Sequence, residues 1–119
     1  MNYNELTDFE INKLVAEKLD KAGLLPYIVT FNDSNEVVYL CEKDSLSSIY
    51  PIAHFDPCNN PSDAWPIILD SEITLYAPRH LTHKDSWGAQ YYVVNSPKII
   101  RDKNPLRAAM IVYLMLSEE

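Results

Sequence analysis

Glycine is nearly missing from this chain: Gly23 and Gly88 are the only two among 119 residues. Loops that cradle phosphate groups need several residues without side chains, so a nucleotide-binding loop of that kind is excluded. There is no GxSxG elbow to present a nucleophilic serine, and neither HExxH nor CxxC is present to announce a zinc site. Cysteine is confined to Cys41 and Cys58, which read as reduced thiols rather than as a disulfide frame. The longest apolar run, Ala108 to Leu116, falls far short of the roughly 20 residues a bilayer-spanning helix needs. The opening MNYNELTDFE is acidic where a signal or transit peptide would be basic and apolar. The expectation is a cytoplasmic protein with no membrane association.

Positive charge is also scarce. The net charge is −7, which argues against direct binding to nucleic acid, because such binding rests on neutralising phosphates. The imbalance is uneven along the chain. Up to residue 75 only Lys13, Lys18, Lys21 and Lys43 answer the acids, whereas Arg79, Lys84, Lys98, Arg101, Lys103 and Arg107 outnumber Asp85 and Asp102 over 79–107. That stretch is either an anion-facing edge or a solvated surface of mixed charge.

What is present is strong helix punctuation. Thr7-Asp8-Phe9-Glu10 is a capping box, in which the Thr7 hydroxyl and the Glu10 carboxylate each accept from the other's backbone N–H. Behind it Ile11, Leu14, Val15 and Leu19 form one apolar stripe and Gly23 supplies a stop, predicting a helix over 8–21. Asn60-Pro61 and Asn104-Pro105 both pair an N-cap with a proline at the first helical position, where its missing N–H costs nothing. They predict helices over 61–69, shortened or kinked by Pro66, and 105–117. The last of these is apolar on nearly every side, so it is either the centre of the core or the contact of a homodimer. Asn, Pro, an Ala at the fourth following position and an Ile at the seventh recur in both, as two uses of one capping solution.

Tyr27 to Phe31 and Val37 to Cys41 flank turn chemistry at Asn32-Asp33-Ser34-Asn35 and predict a hairpin. Ile49 to Phe55 contains Pro51, which an edge strand tolerates better than a central one. Ile73 to Tyr76 and Gln90 to Asn95 complete the expected strands, with a polar loop between them. The fold class is α+β: a single domain over 1–119, a small α/β sandwich of about four mainly antiparallel strands with three helices.

Three segments resemble a known family. FDPCNNPSDAWPII (Phe55 to Ile68), NPLRAAMIVYLM (Asn104 to Met115) and LTDFEINKLVAEKL (Leu6 to Leu19) are similar to the NinX-like proteins of lambdoid phages and prophages. More loosely, the layout is similar to small phage domains described as α-β-α sandwiches. The resemblance implies a phage accessory protein, encoded among nonessential genes and working inside the bacterial host cell, with no biochemical activity assigned to it. It does not extend to residues 24–52 or 79–100, so any partner specificity peculiar to this protein is expected there.

No cofactor or metal is called for. Asp56, Asn59 and Asn60, in the polar stretch entering the second helix, either lock the loop through backbone contacts or hold a small ligand or partner peptide at the exposed helix N-terminus. Trp65 is expected to anchor the core. Trp87, with His83 beside it in an expected loop, has the aromatic-plus-charge character of an interface anchor. The favoured function is noncatalytic binding of a host or phage protein, with the acidic surface steering toward a basic partner such as a nucleic-acid-binding protein or a defence complex. One alternative is a metal- or ligand-binding protein or enzyme using His54, Asp56 and Cys58 with His80 and His83. Another is a nucleic-acid accessory protein using residues 79–107.

Overall fold

The computed structural model describes residues 2–79, 84–91 and 99–116. After a single 3-10 turn at Tyr3–Glu5 come α1 (Asp8–Lys21), β1 (Ile28–Asn32), β2 (Val37–Lys43), β3 (Ile49–His54) and α2 (Pro61–Asp70). β4 (Thr74–Tyr76), β5 (Trp87–Gln90), β6 (Ile100–Asp102) and α3 (Pro105–Met115) follow.

The helix starts obey their local chemistry. Glu10 N–H donates to the Thr7 hydroxyl at 3.1 Å and Thr7 N–H to the Glu10 carboxylate at 3.0 Å, closing the capping box. Asn60 accepts from Ser62 N–H at 3.0 Å, and Asn104 accepts from Leu106 and Arg107 N–H at 2.9 and 3.3 Å. At the far end of α1, Gly23 takes φ +71°, and Leu24 N–H reaches back to the Leu19 carbonyl at 3.0 Å. A side chain at position 23 would strain that turn. α2 passes through Pro66 and ends at Asp70, because a proline this close to the helix start removes only the bond to the Ser62 carbonyl.

The strands do not form one sheet of about four. Among the described residues they form two antiparallel sheets, ordered β1-β2-β3 and β4-β5-β6. In the first, Thr30 lies opposite Tyr39 and Tyr39 opposite His54, with a register shift at Leu40/Cys41. β3 is an edge strand, as its proline requires. In the second, Leu75 faces Ala89 and Ala89 faces Ile100. β5 at Trp87–Gln90 meets the strand expected over Gln90 to Asn95 at Gln90, and residues 92–95 lie outside the described part. β6 has no counterpart among the expected strands. Three-residue strands are too short to display the alternation by which strands are recognised.

α1 packs against β1 and β2 on one side and α3 on the other, while α3 also packs against α2, β5 and β6. α1 and α3 therefore lie between the two sheets, with α2 packed on α3. This position explains the apolar surround of α3. Residues Ala108 to Leu114 are all buried within the single chain, and that pattern has no need of a second subunit. Met110 and Ile111 sit at the centre. Truncating either to alanine would cost about 2–5 kcal/mol in transfer and cavity terms.

Candidate functional site

The loop from Phe55 to Asn60 joins the edge strand β3 to α2, and buried Phe55, Pro57 and Cys58 alternate with polar side chains along it. Those polar groups are used by the protein itself. Asp56 accepts from the Asn12 amide at 2.7 Å and from the Asn59 amide at 3.1 Å, while its own N–H donates to the Asp63 carboxylate at 2.9 Å. Asn12, a buried amide on the inner side of α1, accepts from Cys58 N–H at 3.0 Å. The Asn104 amide donates to the Cys58 carbonyl at 2.6 Å and to Asn59 at 3.2 Å. One Asn thus caps α3 with its oxygen and ties the loop with its nitrogen.

The network continues through charge. Asn59 also donates to Asp8 at 3.1 Å, and Asp8 receives Arg107 Nη1 at 2.7 Å. Arg107 Nε binds Asp102 at 3.1 Å, and Nη2 reaches the Leu6 carbonyl at 2.6 Å and the Asn4 carbonyl at 3.3 Å. A single guanidinium fork therefore holds the N-terminal turn, the start of α1, the end of β6 and the first turn of α3 together. A fixed fork of donors is suited to this in a way an ammonium is not.

Asp56 and Asn59 are brought together as expected, but their hydrogen bonds point into the scaffold. Asn60 is exposed and caps its helix. Beside them lies an open cleft of about 320 Å³, bordered by Asp8, Phe9, Glu36, His54 and Asp56 among others. His54 packs edge-on against Tyr39, ring centroids 5.0 Å apart. Cys58 is fully enclosed; burial, reinforced by Asp8 and partly opposed by Arg107, pushes its thiol far above the ordinary range. A thiol so placed is a packing group rather than a nucleophile. Among the described residues no group of His, Cys, Asp and Glu is arranged to hold a metal ion. His80 and His83 lie outside the described residues.

Neither tryptophan sits in the setting expected for it. Trp65 is 49% exposed, because Ala64, Ile67 and Ile68 occupy the inward face of α2 and Trp65 falls one position off that face. Trp87 is not in a loop: it opens β5, half-buried, opposite Asp102. Of the basic stretch, Arg79, Lys84 and Lys103 are exposed, Lys98 lies outside the described residues, and Arg101 and Arg107 are drawn inward. Arg107 is committed to two carboxylates, and Arg101 Nη1 is buried without a hydrogen-bond partner among the described residues. Gly88 admits this crowding, since a Cβ there would meet Ile99 at 3.0 Å. Asn12 and Arg107, the two residues on which the junction turns, were not singled out for it by the sequence. The available signals were a polar residue beside the apolar stripe of α1 and a cation in the first turn of α3, where the dipole disfavours it.

One further surface stands out. Every residue of β3 is exposed, including Ile49, Tyr50 and Ile52, and Leu46 in the preceding turn is 85% exposed. The adjoining turn carries Asp44, which accepts from Leu46 and Ser48 N–H at 2.9 and 2.8 Å. The turn is thus locally braced although little packs on it.

Comparison with known proteins gives two findings. The family model described as Bacteriophage P22, NinX matches residues 2–117, and so runs through 24–52 and 79–100 as well as the three recognisable segments. A crystal structure of a phage protein from Bacillus cereus ATCC 14579 is similar in fold, with a TM-score of 0.60 at 15% identity, over 96% of this chain and 90% of that one. No curated protein sequence matches.

Proposed function

The chain belongs to the bacteriophage P22 NinX family, and on that premise we propose that it is a noncatalytic phage accessory protein that acts by binding another protein, of the phage or of its bacterial host, in the host cytoplasm. The observation that carries this reading is the β2–β3 hairpin. Ile49, Tyr50 and Ile52 on an edge strand and Leu46 in the turn before it form a run of exposed apolar side chains, in a chain whose other strong surface property is negative charge. An apolar patch rimmed by polar residues marks a contact surface more often than a solvated one. The −7 charge favours encounter with a basic partner and discourages like-charged ones. No described helix is long and apolar enough to cross a membrane.

The rival readings draw less support. A reaction centred on Cys58 needs a thiolate that burial disfavours. A nucleic-acid surface over 79–107 loses Arg107, already neutralised by Asp8 and Asp102, and works against a net charge of −7.

The test is capture from host and phage-infected lysate by immobilised protein, compared with the double variant Ile49→Thr, Ile52→Thr. Threonine keeps the strand preference, so the fold should persist. The expected result is a partner held by the parent and lost by the variant at unchanged melting temperature. Equal capture by both proteins would refute the role of the hairpin.

A further inference from the structure

A second recess, of about 500 Å³, shares no residue with β3. Leu24, Leu25, Tyr27, Leu40 and Ile67 give it apolar walls, while Asp63, Asp70 and Tyr113 supply polar groups. A cavity of this size with a few convergent polar groups is the ordinary form of a small-ligand site. No Lys, Arg or His lines it. Lys18 is engaged with Tyr113: it lies 3.8 Å from the centre of the ring and donates to the Tyr113 carbonyl at 2.5 Å.

The two carboxylates are placed with regularity. Asp63 and Asp70 are seven residues apart on α2, hence on one face and about 10 Å apart along the axis. Pro66 and Ile67 lie between them and present hydrocarbon to the recess. Asp63 spends one carboxylate oxygen on Asp56 N–H, and a carboxylate has further lone pairs to offer an incoming donor.

We propose that this recess binds an aliphatic diamine or polyamine, with its ammonium groups at Asp63 and Asp70 and its methylene chain on Pro66 and Ile67. The match is of spacing as well as of charge. An extended chain of roughly eight carbons, advancing about 1.25 Å per bond, spans the same length. A monoamine satisfies one carboxylate, and an alcohol neither.

Amide NMR titration of the full chain tests this with octamethylenediamine, n-octylamine and n-octanol as probes. The expected result is saturable shifts confined to the neighbourhood of Leu24, Ile67, Asp70 and Tyr113, with the diamine binding about fivefold more tightly than the monoamine, the scale of one exposed charge contact. Asp70→Asn, at an exposed helix end, should reduce the diamine to the monoamine's affinity and leave octanol unchanged. Leu24→Trp, which fills the recess from an exposed position, should abolish all three. The proposal is overturned if diamine and octanol bind equally, if shifts spread over acidic side chains remote from the recess, or if no probe saturates.

Discussion

Replacing Arg107 by methionine removes the guanidinium while keeping much of the side chain's hydrocarbon. The Arg107 side chain is 12% exposed, Asp102 20% and Asp8 43%. Breaking a buried ion pair by deleting one member costs about 3–5 kcal/mol, because the surviving charge is left without compensation. Asp8 is open enough for water to recover part of that loss, which moves the expectation to the lower end. Carbonyls at Leu6 and Asn4 lose their donor as well. The expected cost is therefore about 3 kcal/mol, a large share of the stability of a domain this size. In a thermal scan it corresponds to a fall of about 12 °C. Arg107→Lys keeps the charge without the fork and should recover less than half of the loss. Urea unfolding of the three proteins, with Asp8→Asn added to complete a double-mutant cycle, measures the coupling directly. A loss below about 1 kcal/mol for Arg107→Met would refute the view that this fork holds the junction together.

The remaining predictions concern the same junction and its surroundings. Asn59→Ala should lower stability by about 1–2 kcal/mol in urea unfolding, since it leaves Asp8, Asp56 and Asn104 each short of a partner. An unchanged midpoint would show that its bonds are replaced by water. In acrylamide quenching Trp65 should respond strongly and Trp87 weakly, so Trp65→Phe should remove most of the quenchable emission; the opposite would return Trp65 to the core. Burial raises the Asp63 carboxyl above its ordinary 3.8, outweighing the lowering effect of Asp56 N–H. The folded state thus binds this proton more tightly than the unfolded chain, so the associated stability is full below the ordinary value and is lost as pH rises through the raised one. Asp63→Asn should flatten that decline in a series of unfolding curves, and an unaltered slope would contradict the assignment.

Local chemistry was readable in the sequence because its partners are close in the chain. Thr7 and Glu10, Asn60 and Ser62, and Asn104 and Leu106 each lie within three residues of one another, and so the start of every helix followed from residue type alone. The junction was not readable. Arg107 and Asp8 are separated by 99 positions, and Asn12 and Asp56 by 44. Nothing in a single sequence brings such residues together before the layers are known. The division into two sheets was hidden for a different reason, since β4 and β6 have three residues each, too few to display the alternation by which a strand is recognised. Trp65 was misassigned by one step of helical phase. Ala64 and Ile68 define the inward direction of α2, and Trp65 lies about 100° away from Ala64. Of the candidate site, the clustering of Asp56 and Asn59 was legible, but the direction of their hydrogen bonds was not.

We infer that a protein partner is met at the exposed β2–β3 hairpin. The most direct test places a photo-crosslinking amino acid at position 50, on β3, and the same group at position 34, in the turn between β1 and β2, with irradiation in infected host cells. The account predicts one discrete crosslinked protein from position 50 and none from position 34. Crosslinking from position 34 alone, or none from either, would contradict it.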